Sequence, residues 1–438
     1  MQMFRGHPIW LFYAAMSIPP ELLEQAIRRG LVWVALAEES GEPVGFVWLD
    51  TELGDDAIGI AEIDVLPEFG RRGIGAALLE RACEWARAAG YRRVDLGTLA
   101  DVSWNAPFYA RHGFEVVDKN DPAFAYARER DRENGFPEAL RIFMSRKLAP
   151  LGADDWSVWP APAKLSLLLR IIGQQEDGRD AIQTVFRMLD WGDEIRLRVR
   201  DDGDIRFLGH GIDAPSEKNL IVQAATLLRA HAGVRLGADI EIDKRIPVGS
   251  GLGGGASDAA SVLIALNHLW KCNATMDELA ELGRKLRADV PVFVLGRSAW
   301  VTGVGERFKP ISLPRRWYVL VDPHERVPST QLFQATELTR NAPPATISSF
   351  ASGETLENAF EPLVRARHPR VAAALDWLGS FGHARLSGAG SCVFLETATV
   401  EQAEDIARRC PASLTAWVVE GVSRSPLHRA LSRHGAAG

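Results

Sequence analysis

The chain is 438 residues long, 47% hydrophobic and 24% charged, with a formal net charge of −7. That composition excludes a disordered chain, and the negative balance argues against binding nucleic acid through overall charge. The length predicts two or three domains. Four cysteines, Cys83, Cys272, Cys392 and Cys410, stand far apart with no CxxC pair. That pattern fits neither a disulfide framework nor a protein-held metal site, and it points to a reducing cytoplasm. No run reaches the roughly 18 apolar residues of a membrane span, so no membrane contact is expected.

In chain order, the first notable segment is the apolar "PIWLFYAAMSIPP" (8–20), which follows Arg5. A signal peptide has that order of features, but the nucleotide-type motifs downstream favour a cytosolic enzyme. Ala61 to Leu66 alternates like a strand, and Pro67 to Gly70 turns. Gly73 and Gly75 then open a helix with Leu78, Leu79, Cys83 and Trp85 as apolar positions, and "RRVDLGTL" resumes as a strand. A glycine turn between a strand and a helix N-terminus suits a pyrophosphate; a tight turn before an amphipathic helix reads the same way. The stretch "WNAPFYARHGFEVVD" (104–118) adds a second motif.

Together these motifs resemble the GNAT acetyltransferase superfamily, over about 1–148 and most strongly over 61–118. The resemblance implies acetyl-CoA as cofactor, contacted by Arg71, Arg72, Gly73, Ile74 and Gly75, with Asn105 and Tyr109 beside it. Tyr109 would protonate the departing thiolate. Glu62 or Asp64 could take the proton of an acceptor amine; a solvated strand position is the plainer reading of either. Gly70 stands where the family commonly has Gln or Arg, and the acceptor is not legible.

Three prolines and several turn residues in "SRKLAPLGADDWSVWPAPAK" mark a linker at roughly 147–156. "WPAPAKLSLLL" (159–169) reads as a strand carrying Lys164. "PVGSGLGGGASDAA" (247–260) places five glycines between Gly249 and Gly255 ahead of a helix from about Ser257 to Trp270. Ala260, Leu263, Ile264 and Leu266 are available for that helix's buried face. The loop lacks the lysine of a G-x-x-x-x-G-K-[ST] phosphate loop and the downstream acidic residue of a dinucleotide site. What remains is a glycine loop and a helix dipole that both face an anion, with Ser257 near a phosphate or its Mg²⁺. "RADVPVFVLG" (287–296) reads as a helix-to-strand junction at Asp289, and "TRNAPPATISSFASGE" (339–354) as a surface loop. "RLSGAGSCVFLE" (385–396) reads as a second glycine turn leading into a strand.

In this order the pieces resemble the GHMP kinase superfamily over about 154–438. "QTVFRMLDWGD", "ALNHLW", "GVGE" and "SPLHRAL" are most similar to members that phosphorylate the 2-hydroxyl of a cytidine-diphosphate-linked methylerythritol in non-mevalonate isoprenoid synthesis. The fold so implied is α+β: a GNAT-like mixed sheet, then a two-lobed kinase with an ATP lobe over about 154–310 and a C-terminal lobe over about 311–438. The resemblance implies ATP and Mg²⁺. ATP would be wrapped by Pro247, Val248, Gly249, Ser250, Gly251, Leu252, Gly253, Gly254, Gly255, Ala256 and Ser257. Asp289 would accept the proton of the attacking hydroxyl, and Lys164 would keep Asp289 ionised. Alone, the one reads as a turn aspartate and the other as a strand-edge lysine.

On the substrate side the resemblance implies Ser166, Phe333, Gly388 and Gly390, with Ser329 and Thr330 near the diphosphate. Here the sequence departs from the family. Ser166 replaces an asparagine, and Asp177-Gly178-Arg179-Asp180 replaces D-G-Y-H, whose tyrosine and histidine clasp the base. Arg179 can stack on a base, and Asp180 can accept from a cytosine amino group. Asp258 adds a carboxylate near the phosphates, unfavourable unless it meets Mg²⁺ or faces away. Two other readings stay open: a GHMP small-molecule kinase of shifted substrate, and an acetyltransferase with an inactive kinase half. Oligomeric state is not legible.

Overall fold

The computed structural model describes residues 20–51, 56–118, 120–133, 135–152, 154–176, 178–208 and 219–435. All of the apolar segment 8–20 except Pro20 lies outside them, as does Asp177. The chain divides into two compact units: Met1–Ser157 together with Arg433–Gly438, and Val158–Ser432.

In the first unit, α1 (Pro20–Arg28) precedes β1 (Val32–Leu36), β2 (Pro43–Asp50) and β3 (Ala57–Val65). Then come α2 (Ile74–Ala88), β4 (Arg93–Leu99), α3 (Asn105–Arg111), β5 (Glu115–Val116), α4 (Ala125–Glu133) and β6 (Arg141–Lys147). The strand order is β1-β2-β3-β4-β6-β5; β3 and β4 are parallel and the other pairs antiparallel. The parallel pair requires a crossover, and α2 supplies it. Its buried stripe is Leu78, Leu79, Ala82, Cys83 and Ala86. Trp85 lies beside that stripe, against the rings of Trp33 and Tyr91.

The second unit begins with a long hairpin, β7 (Ser157–Gln174) and β8 (Asp180–Arg200), then β9 (Ile205–Phe207), α5 (Leu220–Ala232) and β10 (Gly237–Asp243). Next come α6 (Gly254–Leu269), α7 (Met276–Leu286), α8 (Val290–Leu295), β11 (Ala299–Thr302), β12 (Arg307–Pro310) and β13 (Arg316–Asp322). The chain continues with α9 (Ser329–Phe333), α10 (Ile347–Ala351), α11 (Glu361–Arg367), α12 (Pro369–Gly379), β14 (Arg385–Leu386) and β15 (Val393–Thr397). It closes with α13 (Val400–Arg408), β16 (Thr415–Val422) and α14 (Pro426–Gly435). One mixed ten-stranded sheet runs through the unit. β8 binds it together: Arg200–Glu194 pair with β10, Phe186–Thr184 with β11, and Leu189 and Met188 with β16. One core gathers α5, α6 and α7; another gathers α11, α12 and β13–β15.

Four local expectations are corrected. The helix after the glycine loop starts at Gly254, three residues early, because Gly253 takes the left-handed N-cap conformation. Ala256 to Leu266 are all buried, not one face only, as suits a helix apolar all round. "VPVFVL" is a short helix rather than a strand: Pro291 sits in its first turn and tertiary burial overrides the β-rich composition. The stretch 339–354 is not all surface, since α10 buries Phe350 beside Ala345.

Candidate functional site

Lys164 lies on β7 and is 5% exposed. Its Nζ donates to Ser166 Oγ at 2.9 Å and to the Gly251 carbonyl at 2.9 Å, 4.8 Å from the centre of the Phe186 ring. Residues two apart on a strand share a face, which is why Ser166 reaches the ammonium. Burial pushes the Lys164 ammonium down to about 8, against the opposing pull of the Asp289 charge. One expectation changes here. Ser166 is buried and positions Lys164, rather than lying open to a ligand. Lys164 bonds a hydroxyl and a carbonyl, and it senses Asp289 only as a neighbouring charge.

In the glycine loop, Gly249, Gly251 and Gly253 have φ of 76°, 77° and 80°. A side chain at Gly251 would overlap the Ser387 carbonyl, and one at Gly253 would come within 2.7 Å of the Phe293 ring. Glycine is therefore required twice, by backbone angle and by space. The amides of Ala256 and Ser257 return to the Gly253 carbonyl at 3.1 and 3.0 Å. That leaves Gly254 and Gly255 as the first amides at the positive end of α6. Pro247 and Gly255 are half-buried and Val248 is exposed, while Ser250, Leu252 and Ala256 turn inward. Ser257 is wholly buried and donates to the Pro162 carbonyl at 2.6 Å, so its hydroxyl faces the strand and not an anion.

Asp289 sits just before α8, with one oxygen 3.4 Å from Arg287 Nε. Phe293, one turn on, is the ring that abuts Gly253, and Lys164 Cε lies 3.4 Å from where a Gly253 side chain would begin. Gly253 is thus where the helix of Asp289 and the strand of Lys164 meet. The second glycine turn closes on the same point. Gly388 and Gly390 have φ of 56° and 84°, and Ser387 Oγ donates to the Gly251 carbonyl at 3.2 Å.

Sequence reasoning missed three supports. Asn358 donates to the carbonyls of Leu386 and Gly388, each at 2.8 Å, and so holds the second glycine turn. Lys244 bonds Asp193 and, at 2.8 Å, Asp258, while Asp193 accepts the amides of Arg245 and Ile246 at 2.6 and 2.7 Å. Asp258 therefore faces Lys244. Burial, and then the Asp193 charge, push its carboxyl well above the usual range. Arg340 is the third. No local pattern marked any of them: Asn358 reaches carbonyls 28 and 30 residues on, Lys244 reaches Asp193 51 residues back, and Arg340 reaches Asp180 160 residues back.

At the β7–β8 turn, Arg179 is exposed and the Asp180 side chain is 8% exposed. Asp180 Oδ1 accepts from Gln174 Nε2 at 3.2 Å and from Arg340 Nε at 3.1 Å. Arg340 also donates to the carbonyls of Ala335, Leu338 and Phe333. Ser329 and Thr330 are exposed on α9, and the Phe333 ring packs edge-on against Phe360 at 4.8 Å.

The first unit carries a separate glycine turn. Arg71 has φ 61° and Gly73 φ 82°, and Gly73 caps α2. Arg71 and Arg72 are exposed, Ile74 and Gly75 half-buried, and Phe108 Cζ lies 3.7 Å from where a Gly75 side chain would begin. Asn105 opens α3, and Tyr109 on that helix packs against Phe108 and Phe114 at ring distances of 5.1 and 6.0 Å. On β3, Glu62 pairs with Trp48 while Ile60 pairs with Leu49, so Ala61 forms a bulge. Burial, with the charge of Asp64 adding, pushes Glu62 up to about 7.

The family model described as GHMP kinases N terminal domain matches residues 219–297, and that for GHMP kinases C terminal matches 344–416. The acetyltransferase (GNAT) family model matches 6–114. A 4-diphosphocytidyl-2-C-methyl-D-erythritol kinase of Xanthomonas oryzae pv. oryzae is 55% identical over 274 residues, 62% of this chain and 93% of the relative. One of Xanthomonas campestris pv. campestris is 54% identical over 287 residues, 65% and 97% of the two chains. A crystal structure of 4-(cytidine 5'-diphospho)-2C-methyl-D-erythritol kinase matches with TM-score 0.53 and 33% identity, over 60% of this chain and 99% of that one.

Proposed function

The chain belongs to the 4-diphosphocytidyl-2-C-methyl-D-erythritol kinase family, with a GNAT-family domain at its N-terminus, and on that premise we propose the chemistry of each. The second unit moves the γ-phosphate of ATP to the 2-hydroxyl of 4-diphosphocytidyl-2-C-methyl-D-erythritol. The observation that carries this is the meeting of Lys164, the helix that Asp289 precedes and both glycine turns at Gly251–Gly253, with the Asp289 charge felt at Lys164.

Phosphoryl transfer asks for alignment and charge neutralisation more than covalent help. The amides of Gly254 and Gly255 and the α6 dipole receive ATP phosphates. The Lys164 ammonium, already held by Ser166 and Gly251, faces the charge that develops on the moving group. Asp289 takes the proton of the attacking hydroxyl. Mg²⁺ comes with ATP. No group of three ligating side chains occurs among the described residues, and Ser257 and Asp258 are bonded elsewhere. The phosphates and water would therefore supply most of its ligands.

The test is incubation of the full chain with ATP, Mg²⁺ and the cytidyl substrate, with ADP release and product mass followed together. A gain of one phosphate on the polyol, lost in Asp289→Asn, supports the reading. ATP binding without turnover of that substrate overturns it in favour of a shifted substrate.

The first unit is read as an acetyl-CoA-dependent N-acetyltransferase. The cofactor pyrophosphate would lie on the Arg71–Gly75 turn, Tyr109 would donate to the thiolate, and Glu62 would take the amine proton. Binding of acetyl-CoA to the full chain, weakened by Gly73→Val, tests it. The four cysteines are unpaired in the structure, and unpaired thiols favour a cytoplasmic setting for both activities; among the described residues no helix is long and apolar enough to cross a membrane.

A further inference from the structure

The turn between α7 and α8 holds a cation with no part in the chemistry above. α7 ends at Leu286, and Arg287 follows in extended backbone, with φ −159° and ψ 153°. Its amide returns to the Gly283 carbonyl at 3.0 Å, and its own carbonyl accepts from the Val290 amide at 3.2 Å. A side chain at Gly283 would come within 2.6 Å of Val290, so the two helices close tightly on this turn. The backbone of Arg287 is therefore fixed, while its side chain is 53% exposed.

That side chain stands beside the reacting groups. Its Nε lies 3.4 Å from an oxygen of Asp289, two residues on. Its charge also reaches Lys164: burial lowers that ammonium most, the Asp289 charge opposes, and the Arg287 charge lowers it further. Among the described residues neither Nη group has a hydrogen-bond partner, so four N–H groups of the planar fork are free. An exposed arginine near an aspartate is ordinary, and such a pair adds little stability. What sets this one apart is that its two charged neighbours are Lys164 and Asp289. Two cations close together repel unless an anion comes between them. A transferring phosphoryl group brings three charged oxygens to that place.

We propose that Arg287 is a further catalytic residue of phosphoryl transfer, its Nη groups meeting oxygens of the moving group while its Nε stays on Asp289. The inference rests on the kinase reading above. In the step, the bond from the γ-phosphorus to the bridging oxygen of ATP breaks, and its electron pair leaves with ADP. The 2-hydroxyl oxygen forms the new bond to phosphorus, and its proton goes to Asp289. The charge spread over the three equatorial oxygens is shared between the compact Lys164 ammonium and the flat Arg287 fork, which engages two oxygens at once. The two cations differ in cost. Lys164 is buried before any ligand arrives, whereas Arg287 keeps its hydration until the phosphates displace it.

The experiment uses the full chain with ATP, Mg²⁺ and the cytidyl substrate, in wild type, Arg287→Ala and Arg287→Lys. Both changes fall at an exposed side chain, and a melting curve checks that each variant folds. The kcat of Arg287→Ala is expected to fall about 10²-fold across the whole pH range, with the KM of both substrates within about threefold. Arg287→Lys is expected to recover part of that loss, and dilute guanidinium to rescue Arg287→Ala where ammonium at the same concentration does not. ADP with aluminium fluoride, a mimic of the moving group, is expected to bind Arg287→Ala about tenfold more weakly than wild type, while ATP binding changes about threefold at most. An Arg287→Ala enzyme whose kcat stays within about threefold of wild type overturns the inference and leaves the kinase reading standing. A loss confined to low pH, with a normal plateau, also overturns it, since Arg287 would then serve only to keep Asp289 ionised. If wild type moves no phosphate to the cytidyl substrate, the kinase reading falls, and the inference with it.

Discussion

Lys164 and Gly251 are joined by a 2.9 Å hydrogen bond from the ammonium to a carbonyl, across 87 residues of sequence. The same carbonyl accepts from Ser387 Oγ at 3.2 Å. One backbone oxygen thus ties the first strand of the kinase unit, the glycine loop and the second glycine turn together. Loss of any of these groups is felt by the other two.

The Lys164 ammonium gives a pH signature. Its protonation is lost in the folded protein as pH rises through about 8, below the ordinary lysine value of 10.5. Phosphoryl transfer is expected to fall above pH 8 for that reason. Stability moves the other way. Between about 8 and 10.5 the unfolded chain binds more protons at this residue, so its unfavourable contribution is relieved as pH rises. A kcat profile alongside a melting profile checks both signs, and Lys164→Met removes both effects.

Asp289→Asn keeps the shape of the α8 start and removes the proton acceptor. The expected loss in kcat is about 10²–10⁴-fold with unchanged melting temperature. A variant within threefold of wild type would assign the proton to another group.

Gly253→Ala forces a side chain against Phe293 at a left-handed backbone position. The expected cost is about 1–3 kcal/mol, with weaker ATP binding, measured by denaturant unfolding and calorimetry. Gly249→Ala has the same backbone penalty and open space around it, so it should cost less.

Asn358→Leu removes two donors and leaves the buried carbonyls of Leu386 and Gly388 with one bond fewer each. A loss of about 2–4 kcal/mol is expected, with a larger effect on substrate KM than on ATP KM. Urea unfolding and steady-state kinetics separate the two.

In the acetyltransferase unit, Glu62 titrates near 7 in the folded state against an ordinary value of 4.5. Acetyl transfer that uses its carboxylate as base should fall as pH drops below 7. Its ionisation also costs stability: between 4.5 and 7 the folded protein holds the extra proton, so this contribution declines as pH rises. Glu62→Gln should abolish the activity limb and raise the melting temperature at pH 8.

The sequence alone determined what depends on local pattern. The five glycines of 249–255 announced a tight, close-packed loop because left-handed backbone and absent side chains are properties of glycine itself. The strand, glycine turn and helix of 61–88 were legible for the same reason, and the ordered motifs carried the family. Tertiary structure decided what depends on distant partners. Ser257 was expected at a phosphate and instead caps the Pro162 carbonyl, because a strand containing Pro160 and Pro162 packs on α6 and its carbonyls need donors. Ser166 proved a support for Lys164, Asp258 a partner of Lys244, and "VPVFVL" a helix. Asn358 and Arg340 gave no local sign at all. A buried polar side chain is chosen by the group it must satisfy, and for Asn358 and Arg340 that group lies 28 and 160 residues away.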